Sequence, residues 1–154
     1  MTQQTYIQDV IGPNLKNYGP LLDKVTQHIF SALTEYFEVD PYAQTLGGMN
    51  NHDEKLIINL SSLSIELTIT TRTIINENFI PERLIIISFF NKDESEEVTI
   101  LNLKASHLGR LAFPNKELSF NKDSIEFDYN VSYLPAMIIS RTLQDLMSLK
   151  IISI

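Results

Sequence analysis

His52-Asp53-Glu54 is the densest run of metal-ligand side chains in the chain. Immediate neighbours converge on one ion only in a tailored loop, and a zinc site would also want a second histidine close by. The other two histidines, His28 and His107, are far away in sequence. The run therefore reads as a polar turn feeding a strand that begins at Lys55. Nucleophilic hydrolysis fares no better. A Ser-His-Asp relay needs a histidine oriented by an acid and aimed at a nucleophile. There is no Cys and no Gly-x-Ser-x-Gly. His28 falls at the edge of a helical stripe, and His107 falls in what reads as a last helical turn, where its charge suits the helix dipole. Gly47-Gly48 precedes neither a Lys-Ser/Thr pair nor a helix, so it is not a phosphate loop. No metal and no cofactor are expected.

One stretch places an acid and a base on a single face. In LSIELTITTRT, Leu63, Ile65, Leu67 and Ile69 alternate with Ser64, Glu66, Thr68, Thr70 and Arg72. Successive side chains of a strand point to opposite faces, so this strand has one apolar and one wet side. Glu66 and Arg72 are six residues apart, roughly 20 Å along an extended chain, too far to act as a pair. The wet side is expected to be solvated or to dock a partner.

The elements that position these residues follow from periodicity and punctuation. Residues 1–18 read as a polar lead-in, with a short helix over Gln4–Val10 stopped by Gly12-Pro13. A domain of residues 19–154 begins at Gly19-Pro20. Behind Pro20, the residues Leu22, Val25, Ile29, Leu33 and Tyr36 form a core-facing helical stripe. That helix should end before Asp40-Pro41, because the residue before proline avoids helical angles. Residues 41–54 read as a loop. Strands are expected over Lys55–Leu60, Leu63–Ile75 and Arg83–Phe90. The last is apolar at nearly every position and so should be covered on both faces for much of its length. Val98, Leu101, Ala105 and Leu108 then share a helical face. Asp93 and Glu96 stand at capping-box spacing, and Gly109 sits where a left-handed cap belongs. A helix is predicted there. Strands over Arg110–Phe120 and Ser124–Val131, joined by a turn at Asn121-Lys122-Asp123, precede a final helix from Pro135 to about Leu149. The fold class is α+β: a mainly antiparallel five-stranded sheet with flanking helices, in the order α-β-β-β-α-β-β-α.

Totals agree with one globular domain. At 154 residues, with 44% hydrophobic and 20% charged, the chain is long enough to bury a core without staples. The net charge of −7, with no basic cluster, argues against nucleic acid. No apolar run reaches the length of a membrane span. The first residues carry no signal-peptide pattern, and the lack of cysteine agrees with a reducing, cytoplasmic setting.

The element order resembles the type III secretion chaperone-like fold, which includes YbjN-like proteins. The local likeness is best over Leu101–Pro135, LNLKASHLGRLAFPNKELSFNKDSIEFDYNVSYLP. There the resemblance implies a short helix, two strands around a polar turn, and a proline-led last helix. It also implies a small acidic homodimer that binds an extended stretch of another protein, with no catalytic signature. In such chaperones the first helix and first strands hold the client, which points to Leu22, Val25 and Ile29, and to Glu66, Thr68, Thr70 and Arg72. The predicted helix is apolar on two sides, so Ile100 and Leu103, with His107 beyond them, are expected to face a second subunit. The function expected is a non-enzymatic protein-binding module, a chaperone or adaptor. Two alternatives stand beside it: an immunity protein that neutralises a toxin, and a small enzyme or small-molecule-binding domain using Glu66 or His52 in an open sheet cavity.

Overall fold

Leu22, Val25, Ile29, Leu33 and Phe37 recur at steps of three and four residues, and each is no more than 4% exposed. They are the buried stripe of helix α1, Gly12–Val39. The computed structural model describes residues 7–52, 55–91, 93–114, 126–129 and 131–152. A single π turn, Ile7–Ile11, leads directly into α1. Neither Gly12-Pro13 nor Gly19-Pro20 breaks the helix, contrary to expectation. Pro13 lies at its start, where no internal donor is needed. Pro20 lies inside the helix at an exposed position. Tertiary anchors hold the early turns in place. Asn14 Nδ2 donates to Phe79 O at 2.8 Å, Tyr18 stacks on His107 at 4.2 Å, and Arg83 bridges to Asp23 at 2.8 Å.

The segment predicted as a loop after Pro41 is built. Asp40 is extended (φ −79°, ψ 123°), and its carboxylate accepts the N–H groups of Tyr42 and Ala43, capping α2, Pro41–Leu46. Strand β1, Gly48–His52, follows. Then come β2 (Lys55–Leu60), a 3-10 turn over Ser61–Leu63, β3 (Ile65–Ile75) and β4 (Pro81–Asn91). After them stand β5 (Glu96–Ala105), β6 (Arg110–Ala112), β7 (Glu126–Asp128) and helix α3 (Leu134–Ser148). The seven strands make one antiparallel sheet in chain order. The α+β class and antiparallel sheet are as expected; the five-strand count and the element order are not. The predicted turn at 121–123 and residues 115–120 of the predicted fourth strand lie outside the described residues.

The main correction is the predicted middle helix. Its residues are β5, paired with β4 on one side and β6 on the other. The register explains the false helical spacing. Val98 opposes Phe89 and Leu101 opposes Ile87, so three residues of β5 cover two of β4 at a bulge. A bulge lets residues three apart share a face, which imitates a helix. Beyond it Leu101, Leu103 and Ala105 alternate normally and are all 0% exposed. The β-branched run Val98-Thr99-Ile100 and the open edge of β4 favour the strand. The Asp93 to Glu96 capping signal belongs to the β4–β5 turn instead.

Helices α1 and α3 pack on one face of the sheet. Their residues Ile29, Leu33, Ile138 and Leu146 share a single core with Ile58, Leu67, Ile87 and Leu103. Within α3, Arg141 bonds the Pro114 carbonyl at 3.0 Å and pairs with Asp145 at 3.4 Å. Burial pushes the Asp145 carboxyl above its usual range, against the opposing pull of Arg141. The protonated form therefore suits the fold better. Its contribution to stability is full below the unfolded value of about 3.9 and is lost as pH rises through the folded one. Asp145→Asn should raise the urea midpoint at pH 7 and leave it unchanged near pH 3. A lower midpoint at pH 7 would mean that the Arg141 contact outweighs burial.

Candidate functional site

Alternation along β3 sends Ile65, Leu67 and Ile69 into the core and Glu66, Thr68, Thr70 and Arg72 to the opposite face of the sheet. Cross-strand partners share a face in an antiparallel ladder. Thr68 therefore stands between Ile57 and Ser88, Thr70 beside Ile86, and Arg72 beside Leu84. On the far side of β4, Ser88, Ile86 and Leu84 meet Thr99, Asn102 and Lys104 of β5. Both α1 and α3 lie on the other face. Ile57, Leu84 and Ile86 are half-buried, Ser88 is 4% exposed and Phe90 is 51% exposed. β4 was expected to be covered on both faces; among the described residues, only its core face carries a helix.

The result, on the face that carries no helix among the described residues, is an apolar row on β4 beside a polar row on β3, with Ile57 beyond it on β2 and with Glu66 and Arg72 exposed. A concavity of about 560 Å3 is cut into one end of it, where Asn59, Ser64, Glu66, Phe90 and Asp93 come together. Ser64 adopts a left-handed conformation (φ 57°) that turns the chain into β3. The Asn102 Oδ1 atom is sealed from solvent with no hydrogen-bond partner among the described residues. A buried acceptor without a donor is costly, and Asn102 stands beside Ile86.

Comparison with protein-family models, curated proteins and solved structures finds no match. The site is therefore read from its geometry.

Of the residues expected to bind a partner, Glu66, Thr68, Thr70 and Arg72 are brought together on this face. Leu22, Val25 and Ile29 are not: at 0%, 4% and 0% exposed they are core, and no partner reaches them in the folded chain. Ile100 and Leu103, expected at a dimer interface, are 1% and 0% exposed within the sheet. His107 lies in the β5–β6 turn, stacked on Tyr18, and not in a helical turn. The second apolar side that was to seat a mate does not exist, because Ile100 and Leu103 are both buried within the fold.

His52 ends β1 opposite Lys55, and Asp53 and Glu54 lie outside the described residues. Among the described residues, no three His, Asp or Glu gather as a metal site, and no helix is long and apolar enough to cross a membrane. Sequence reasoning missed Leu84 and Ile86 as surface residues. A strand apolar at every position carries no mark of which face is open.

Proposed function

We propose that this chain is a protein-binding module, an adaptor or chaperone, which takes a segment of a second protein onto its open sheet face. The observation that carries this reading is a sheet with helices on one face only among the described residues, whose other face sets half-buried Leu84 and Ile86 between the polar row Glu66, Thr68, Thr70 and Arg72 of β3 and Asn102 and Lys104 of β5, with half-buried Ile57 beyond β3. Its size supports the reading. Four strands spaced about 4.8 Å apart, the longest eleven residues, span roughly 19 by 36 Å, or about 700 Å2. A standard interface buries about 800 Å2 on each partner. An apolar row flanked by polar ones, at Leu84 and Ile86, also suits the mixed composition of such an interface. The type III secretion chaperone-like resemblance is a weaker support, since its middle helix is strand β5 here.

A photo-crosslinking phenylalanine at Thr70 tests the site. Thr70 lies beside Ile86 and contributes nothing to the core face, so the substitution should spare the fold. Irradiation in the native cell should give a discrete protein adduct from position 70 and none from position 24, on the solvent side of α1. The adduct should weaken at least tenfold when Ile86→Asp is added. Equal labelling from both positions, or an adduct indifferent to Ile86→Asp, would refute the assignment.

A further inference from the structure

A second groove runs along the opposite side of the molecule, between α1 and the start of α3. Its volume is about 530 Å3. One wall is a stripe of α1: His28, Ala32, Glu35, Tyr36 and Val39, residues spaced to share a helix face. The other wall is Tyr129, Val131, Ser132 and Pro135. Asp40 and Pro41 close one end. Two tyrosine rings, one imidazole and two carboxylates thus line one groove, and among the described residues no Lys or Arg lines it.

The rings are held in place. Gly109 is in a left-handed conformation (φ 82°), and a Cβ there would run into the Tyr129 ring, so the ring lies directly on bare backbone. The Gly109 carbonyl accepts the Tyr129 N–H at 2.8 Å. His28 meets the same ring edge-on at 4.9 Å. Asp40 uses one carboxylate oxygen to cap α2, which leaves the other available to the groove. Burial, with the charge of Asp40, holds the Tyr36 phenol above its ordinary range, so it stays neutral.

The start of α3 offers little positive charge to offset the acids. The Leu134 N–H is taken by the Val131 carbonyl, Pro135 has no N–H, and the Met137 N–H is taken by the Tyr133 carbonyl. A cation is therefore the complementary ligand. The faces of aromatic rings attract cations, carboxylates add a directed charge, and a net charge of −7 steers cations toward the molecule.

We propose that this groove receives the cationic side chain of an arginine or lysine within a segment of a partner protein. The proposal is independent of the open sheet face: either surface can fail its test and leave the other standing.

The experiment uses the full chain, labelled with 15N, and a capped Gly-Arg-Gly peptide. Its partner probe is the same peptide with citrulline, which keeps the shape and removes the charge. Guanidinium ion and phosphate are titrated separately. The arginine peptide should shift the amides of Ala32, Tyr36 and Tyr129 saturably, and the citrulline peptide at least tenfold more weakly. Guanidinium alone should shift the same amides at higher concentration, and phosphate should not. Glu35→Gln, an exposed position that leaves the core intact, should weaken the arginine peptide several-fold. Tyr129→Leu, which keeps apolar bulk and removes the ring, should do the same. Equal shifts from arginine and citrulline peptides, shifts confined to other surfaces, a stronger response to phosphate, or no response at all would each overturn the proposal.

Discussion

Leu103→Asp should leave the chain without a cooperative unfolding transition. Leu103 is 0% exposed near the end of β5, opposite Ile85 and beneath the helices. Truncation to Ala alone removes about 2–5 kcal/mol, and an unpaired buried carboxylate adds several more. The total stability of such a domain is only about 5–15 kcal/mol. Circular dichroism across a urea series is the measurement. Asn102→Ala, one residue away but on the opposite face, is the control and should cost less than about 1 kcal/mol. The two outcomes also separate the strand from the helix that the sequence suggests. On a helix with Leu103 turned outward, the Asp variant would be a folded protein.

Gly47→Ala should cost about 3 kcal/mol, whereas Gly48→Ala, its immediate neighbour, should fall within about 0.5 kcal/mol of the parent. The contrast comes from space and not from backbone angles. A Cβ on Gly47 would collide with the backbone carbonyl of Asn59, and a Cβ on Gly48 would meet nothing within 4 Å. The obstacle is main chain in β2, so a side-chain rotation cannot relieve it. Gly47 also donates its N–H to the Ala43 carbonyl at 3.1 Å, which ends α2. Any shift that makes room must pull α2 or β1 away from β2. Parallel thermal melts of the two variants decide the point, and equal melting temperatures would show that the corner is looser than its geometry.

Much of this architecture is written locally. The α1 stripe, the two-sided β3 and the proline-led α3 each announce themselves through a single period. What escapes is set by distant residues. The bulge opposite Ile87 and Ser88 changes the spacing of Val98 and Leu101 from that of a strand to that of a helix, and only the register with β4 reveals it. Asp40-Pro41 reads correctly as the end of one helix, yet the same two residues begin the next. The polar strand β1, with Asn50 and Asn51, has little strand propensity of its own and exists because β2 pairs with it. The site divides in the same way. Glu66, Thr68, Thr70 and Arg72 were legible from alternation. The groove formed by Tyr36 and Tyr129 joins residues nearly a hundred positions apart and leaves no local trace.

The strands lie in the sheet in the order in which they are synthesised. Each new strand has its partner immediately behind it, so each pairing from β1 to β6 closes only a short loop at little entropic cost. Helix α1 is different. Its anchors to Phe79 and Arg83 span 65 and 60 residues. Its apolar stripe finds its floor only when β4 and β5 exist. The 66 residues from Asp40 to Ala105 take roughly 3–13 s to translate at about 5–20 residues per second. Helix α1 leaves the ribosome before the strands that cover it, and for those seconds its bare stripe is the surface on which a nascent-chain chaperone would act.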